Sequence, residues 1–247
     1  MAGGSERSAE RLREELRQRI MTDALPAGMA LEGERVLAPA LATNRNTLRE
    51  AIRMLEQDRL VTVRHGKAVV VNDFRADGRI DLFGPFIEHG RDLAERVRAL
   101  EDGLALRRGL LEVVVTLAAA RAEPADQERL DTICAGQLAA FVRGDREALA
   151  IGDRAWLDAL VDAAHSLPVR WMANELLEAF GRLAGRIPAI WLVEPSYPEF
   201  LRALLSAIAE HDVPRARAVA LHYFDSNDAK VRPLLPAVVA ALSARMP

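Results

Sequence analysis

Residues 43–67 have the sequence TNRNTLREAIRMLEQDRLVTVRHGK. The first half of this segment predicts an amphipathic helix, because its apolar residues recur at helical spacing. They are Leu48, Ala51, Ile52 and Leu55. Asn44 or Asn46 would cap the first turn, since an asparagine side-chain oxygen accepts a hydrogen bond from a backbone N–H that is free there.

The second half of the segment predicts a β-hairpin. Residues 60–63 and 68–71 are rich in β-branched side chains and flank a basic turn at residues 64–67. A helix followed directly by such a hairpin indicates a winged helix-turn-helix, whose helix enters a major groove of DNA. The structural alternative is an ordinary helix packed on a small hairpin. The arginines favour DNA binding, because they gather at the start of the helix and in the turn.

Helices are predicted on both sides of this segment. A first helix at 8–22 has Leu12, Leu16 and Ile20 as its apolar stripe, and a second helix lies within 31–41, where Pro39 makes it either short or kinked. Residues 74–91 form a linker with one short helix at 80–87. The later helices are predicted at 92–122, 124–144, 146–165, 168–187, 196–211, 213–231 and 234–244, and Gly103 and Gly109 are candidate breaks in the first of them.

We therefore predict a mainly α protein in two domains. A winged helix-turn-helix domain at 1–73 is followed by the linker at 74–91 and by an antiparallel all-α bundle at 92–247. The 247 residues have a net charge of −3, which argues against indiscriminate nucleic-acid binding but not against a local DNA-binding surface.

The composition excludes several classes of protein. The single cysteine, Cys134, forms no intramolecular disulfide, and no apolar run is long enough to span a membrane. The N-terminal residues lack the apolar core of a signal peptide, so we expect a cytoplasmic protein. No nucleophile–base pair, phosphate loop or dinucleotide motif is present. An enzyme and a purely structural interaction protein remain the alternatives to a regulator.

Two motifs stand out in the predicted winged helix-turn-helix domain, Leu31-Glu32-Gly33-Glu34-Arg35 and Asn44-Arg45-Asn46-Thr47-Leu48-Arg49-Glu50-Ala51. They resemble the GntR superfamily of bacterial transcription regulators, and His65-Gly66-Lys67 is similar to its fatty-acid-responsive FadR branch. The resemblance implies a homodimer that binds a palindromic operator in double-stranded DNA. It implies DNA contacts from Arg35, Asn44, Arg45, Asn46, Thr47, Arg49, His65, Gly66 and Lys67. Asn44 and Asn46 replace the usual serine or threonine, which would change the operator that is read.

The bundle resembles the ligand-binding domain of the FadR branch, through residues 104–108, 118–122 and 153–168. Many relatives bind a divalent metal there with one aspartate and three histidines. Asp153 matches the aspartate, but Leu157, Leu201 and Tyr223 occupy the histidine positions. A shift of one residue would place His222 at the last position. We predict that the metal site is lost and that the protein has no cofactor.

The resemblance also suggests an effector, since the fatty-acid-responsive relatives bind acyl-CoA inside the bundle. An apolar, acyl-bearing effector is favoured here over a small carboxylate. Trp156, Trp171, Phe180, Trp191 and Tyr223 would line its pocket as a group, although each residue alone is better explained as core. Asp153 would pair with Arg107 or Arg108, or face water. The predicted ligand-binding residues are Arg107, Arg108, Asp153, Trp156, Leu157, Leu201 and Tyr223.

Overall fold

The computed structural model describes residues 2–63, 68–184 and 194–244. These residues divide into two compact units, Met1–Ala99 with Val239–Pro247, and Leu100–Val238. The predicted linker at 74–91 thus lies within the first unit. None of the described helices is long and apolar enough to cross a bilayer.

The first unit contains a helix-turn-helix and a two-stranded antiparallel sheet. Its elements are α1 (Ala2–Met21), α2 (Glu34–Ala40), α3 (Arg45–Gln57), β1 (Val61–Val63), β2 (Val69–Val71), α4 (Phe74–Asp77), a 3-10 turn at Ile80–Leu82 and α5 (Phe83–His89). The predicted stripes of α1 and α3 are confirmed as core, with Leu16, Leu48 and Leu55 at most 1% exposed. Val61 pairs with Val71 in the sheet.

Helix α2 lies within the predicted range 31–41 and begins at Glu34. The Leu31 N–H donates to the carbonyl of Val69 at 2.8 Å, and Ala30 forms a bridge with Val70, so residues 30 and 31 run along β2 instead of entering a helix. Gly33, in an extended conformation, then precedes the first helical residue. Pro39 lies in the last turn of this seven-residue helix, so α2 is short.

Polar contacts join the distant segments of the first unit. Arg13 of α1 donates to both carboxylate oxygens of Asp58, at 2.6 and 2.8 Å, just after the end of α3. The guanidinium of Arg96, which is buried, donates to the carbonyls of Ile87 at 2.7 Å and of Val239 at 3.0 Å. The chain after residue 90 therefore contributes directly to the unit that holds the helix-turn-helix.

The described part of the second unit is all helical, as predicted. Its helices are α6 (Leu93–Arg121, which starts in the first unit), α7 (Pro124–Arg143), α8 (Arg146–Ala163), α9 (Leu167–Ala184), α10 (Tyr197–Ala209), α11 (Val213–Val231), a 3-10 turn at Arg232–Leu234 and α12 (Leu235–Ala244, which ends in the first unit). α6 continues unbroken through Gly103 and Gly109. Gly144 ends α7 with φ of 67°, a left-handed conformation that glycine adopts without a steric penalty.

Candidate functional sites

The start of α3 forms a polar surface in the first unit. The Asn44 side chain accepts a hydrogen bond from the backbone N–H of Thr47 at 2.9 Å, so Asn44 is the cap and Asn46 is not. Arg35, Arg45, Asn46 and Arg49 are exposed beside it. Their exposure leaves these side chains accessible, and their contact with DNA stays a prediction.

Thr47 is a correction to the predicted DNA-contacting set. It is only 3% exposed, in the first turn of α3 next to the fully buried Leu48. The physical reason is helical geometry, since residue 47 faces the same side of α3 as Ala51 in the core stripe. The side chain of Thr47 thus packs inside the first unit.

Glu34 joins this surface, although it was not among the predicted site residues. Both of its carboxylate oxygens accept from Nε of Arg49, at 2.8 Å each. The hydrogen bond from Arg49 lowers the pKa of Glu34, and the charges of Arg49 and Arg45 act in the same direction. The two partners are 15 residues apart on different helices, so local spacing carries no signal of this pair.

The predicted wing contacts His65, Gly66 and Lys67 lie outside the described residues. The strands that lead to them are described, and their pairing extends to Val63 opposite Val69. Thr62 donates to Oδ1 of Asn72 at 2.8 Å, which adds a side-chain contact across the same hairpin. The described strands therefore form the hairpin stem that a wing requires.

Asp153 on α8 is the centre of a polar cluster in the second unit. Burial of its carboxyl raises its pKa to about 6, although the charge of Arg107 and a hydrogen bond with Tyr197 both oppose the rise. Leu157, one turn further along α8, is half-buried, and Leu201 of α10 is fully buried. That these residues replace a former metal site stays a prediction.

Tyr197 links Asp153 to a buried glutamine. Nε2 of Gln137, which is 1% exposed, donates to the Tyr197 hydroxyl at 2.8 Å. Burial, followed by the charge of Asp153, raises the pKa of Tyr197, so the phenol stays protonated. The other end of the glutamine amide lies against Gly152, where an added Cβ would come within 2.6 Å of Oε1. A larger residue at 152 would therefore force the Gln137 side chain to shift.

Tyr223, not His222, faces the interior from α11. Tyr223 is 9% exposed and stacks on Phe200 with the ring centroids 4.0 Å apart, whereas His222 is exposed. Burial raises the pKa of Tyr223 to about 12. The one-residue shift that would have restored a histidine ligand is therefore wrong. Among the described residues, no three His, Cys, Asp or Glu side chains are grouped to hold a metal ion.

The two predicted arginines have different partners. Nη2 of Arg107 donates to Asp228 at 2.6 Å, and its charge also acts on Asp153. Arg108 instead donates to Asp225 through Nη2 at 2.9 Å, with a further contact from Nε, on the exposed side of α11. Arg108 is therefore not the partner of Asp153, because adjacent residues of a helix point in directions about 100° apart.

The predicted tryptophan lining is only partly supported by burial. Trp156 is 1% exposed and belongs to the core of the second unit, and Phe180 is half-buried. Trp171 is 62% exposed on the outer face of α9, so its predicted place in a pocket lining is wrong. Trp191 lies outside the described residues.

Comparison with known proteins connects both surfaces to one family. Residues 8–71 match the model of the bacterial regulatory proteins of the gntR family, and residues 102–226 match the FCD domain. The chain belongs to the GntR family. It is a GntR transcriptional regulator with an FCD effector-binding domain, and it is not an enzyme.

The chain is similar to other regulators in sequence and to a solved structure in fold. The HTH-type transcriptional regulator Mce2R of Mycobacterium tuberculosis is 28% identical over 85% of this GntR chain and 86% of its own. The fatty acid metabolism regulator protein of Edwardsiella ictaluri is 29% identical, over 45% of each chain. The solved structure of Lar, which controls expression of the Listeria monocytogenes agr system, has a TM-score of 0.56 at 18% identity and covers 92% of this chain and 97% of Lar.

Proposed function

We propose that this GntR regulator acts in the cytoplasm and binds a palindromic operator as a homodimer, and that an effector in the FCD domain releases it. The observation that carries the proposal is the exposed surface formed by Arg45, Asn46 and Arg49 on a capped α3. Arg45 and Arg49 would contact base edges in the major groove, while Arg35 and Lys67 hold phosphates. His65 and Gly66 would form the wing tip.

The DNA-binding part of the proposal is tested with Arg45→Ala. Its operator is first obtained by sequencing the genomic DNA that the wild-type protein enriches. A bidentate arginine–guanine contact contributes ~1–3 kcal/mol, so Arg45→Ala should lose discrimination at one base pair in each half-site. Arg53→Ala is the matched control, because Arg53 is an exposed arginine further along α3 that pairs with Glu50 at 3.4 Å. Unchanged base preference in Arg45→Ala would refute the assignment.

A homodimer is proposed because one helix-turn-helix contacts too few base pairs to select a site in a genome. α6 offers a surface for the second copy. Leu106 and Val113 are 48% and 45% exposed, and Gly109 lies between them on the same face, where an added Cβ meets nothing within 4 Å. Two copies of α6 that cross antiparallel near Gly109 would place each Leu106 against Val113 of the other copy, as two-fold symmetry requires.

The dimer surface is tested with Leu106→Glu. A buried unpaired carboxylate at a helix crossing is strongly unfavourable, so the variant should sediment as a monomer at micromolar concentration and lose most of its operator affinity. Val142→Glu is the control, since Val142 is 86% exposed on α7, away from this stripe. A wild-type monomer that still selects the operator would refute the homodimer. A dimer in both variants would refute only the α6 surface.

For the effector we propose a metal-free ligand with an acyl chain, as in long-chain acyl-CoA, bound beside Asp153. Two observations support it over a small carboxylate. The ionised Asp153 would repel a second carboxylate in the absence of a metal. Leu157 and Leu201, at two of the predicted ligand-binding positions, are apolar. Each methylene of an acyl chain that is buried against apolar side chains contributes about 0.8 kcal/mol to binding. Since Leu201 is already fully buried, an acyl chain would displace it and move α10, which provides a difference between bound and free conformations.

The effector proposal is tested by titrating long-chain acyl-CoA and small carboxylates against the protein–operator complex, with and without a chelator. Acyl-CoA should release the DNA regardless of the chelator, and Leu157→Asn should weaken the response. Leu167→Asn is the control, because Leu167 is 66% exposed on α9. Release by a small carboxylate that the chelator abolishes would refute the acyl effector and support a metal site.

A further inference from the structure

A carboxylate lies among the arginines of the proposed DNA-binding surface. Glu34 is the first residue of α2, and its side chain remains 34% exposed beside Arg49, whose side chain is 57% exposed. Arg45 is close enough for its charge to lower the pKa of Glu34 as well. Glu34 is therefore at the place where the helix-turn-helix would meet a phosphate backbone, and its charge has the sign that DNA repels.

The contact occupies one defined edge of the Arg49 guanidinium. Nε donates to both carboxylate oxygens at 2.8 Å, and the guanidinium is a planar, rigid group with five N–H donors. With Nε engaged, the terminal Nη1 and Nη2 groups remain as a fork that is directed away from Glu34. Such a fork matches O6 and N7 of a guanine in the major groove.

We propose that Glu34 is a specificity-determining residue that acts through Arg49. It orients Arg49 toward a base, and its charge weakens binding to all DNA sequences alike, so that binding depends more strongly on the base contact. The charge effect is sequence-independent, because a carboxylate near the backbone cancels one favourable phosphate contact. The orienting effect is confined to the base pair that Arg49 reads. This inference rests on the proposed DNA-binding function.

Two substitutions separate these effects. Glu34→Gln keeps an acceptor for Nε of Arg49 but removes the charge, so its affinity for random DNA should rise about eightfold at about 0.1 M salt while the base preference remains. Glu34→Ala removes both, so discrimination at the Arg49 base pair should also fall by about fivefold or more. That base pair is identified as the position where Arg49→Ala loses its preference.

The measurement is fluorescence anisotropy with the operator, with its single-base variants and with random duplex, at several salt concentrations. Glu50→Gln is the control, since it removes a carboxylate that pairs with Arg53 on the same helix. In the double variant Glu34→Ala with Arg49→Ala, discrimination should equal that of Arg49→Ala alone, because both residues act through one contact. Additive losses would mean that Glu34 acts elsewhere.

The outcomes distinguish this inference from the proposed function. If the wild-type protein enriches no genomic site, DNA recognition itself fails and the role of Glu34 fails with it. If the wild-type protein selects an operator but both Glu34 variants match Glu50→Gln, the role of Glu34 alone is overturned. Equal thermal unfolding of all variants would show that the differences do not arise from folding.

Discussion

Replacement of Asp153 by asparagine is expected to stabilise this protein at neutral pH. Asparagine has nearly the same size and keeps an acceptor for the Tyr197 hydroxyl, so the main change is the loss of a buried charge. In the native protein, desolvation raises the pKa of Asp153 from 3.8 to about 6, even though the charge of Arg107 favours the ionised form. The folded state therefore disfavours the carboxylate relative to the unfolded chain.

The size and sign of the effect follow from the linkage between protonation and folding. A rise from 3.8 to about 6 corresponds to roughly 3 kcal/mol between the two protonation states. Well below pH 4 both states are protonated, and this cost is absent. Between pH 4 and pH 6 the folded state binds more protons, so the stability of the wild-type protein falls as the pH rises. Asp153→Asn should therefore gain up to about 3 kcal/mol at pH 7.5 but no more than about 0.5 kcal/mol at pH 4.

The assay is denaturant unfolding of both proteins at pH 4 and pH 7.5, followed by tryptophan fluorescence, because Trp156 lies in the same core. Asp158→Asn is the control on the same helix. Asp158 accepts from Arg154 at 2.9 Å and from Arg170 at 3.1 Å, so its loss should cost up to about 1 kcal/mol at pH 7.5. An equal or lower stability of Asp153→Asn at pH 7.5, or a gain that persists in full at pH 4, would refute the reasoning.

Three further changes test the contacts that hold the fold. Asn44→Ala should cost about 1 kcal/mol, because the cap of α3 is lost, measured by thermal unfolding of the full chain. Arg13→Ala should cost about 2 kcal/mol in the same assay, since Asp58, whose side chain is 10% exposed, loses a partner. Gly152→Ala should cost ~1–3 kcal/mol in urea unfolding, because its Cβ would collide with the Gln137 amide; unchanged midpoints would contradict each of these accounts.

The sequence predicted those parts of the fold that depend on local patterns. Apolar spacing located α1, α3 and the later helices, because a helix that buries one face repeats at its own period. The exact start of α2 within 31–41 was not predictable, because residues 28 and 31 donate hydrogen bonds to β2 and such pairing across the chain leaves no local signal. The ends of the later helices lie within two residues of those predicted wherever the structure describes them, whereas α1 begins at Ala2, six residues before its predicted start.

Site residues were predictable where helical position alone determines exposure. Arg45 and Arg49 follow from their place opposite the core stripe of α3. Thr47 was predicted to contact DNA, in keeping with its polar side chain. It is buried because it lies one helical turn before Ala51, on the face of α3 that packs in the core. The partners of Arg49 and Arg108 belong to other helices, and no spacing along the chain reveals how those helices pack.

The presence of an ionisable residue at position 153 needs an explanation, because a buried carboxylate lowers the stability of the folded protein at neutral pH. Burial of the carboxyl raises its pKa and so increases the cost of keeping it ionised. An asparagine or leucine at this position would avoid that cost, so stability does not account for an acid there. A ligand that donates a hydrogen bond to the carboxylate would account for it, because the bound state would regain favourable interactions that the free state lacks. Effector affinity should then weaken below pH 6, where protonated Asp153 can no longer accept at both oxygens, and Asp153→Asn should remove this pH dependence.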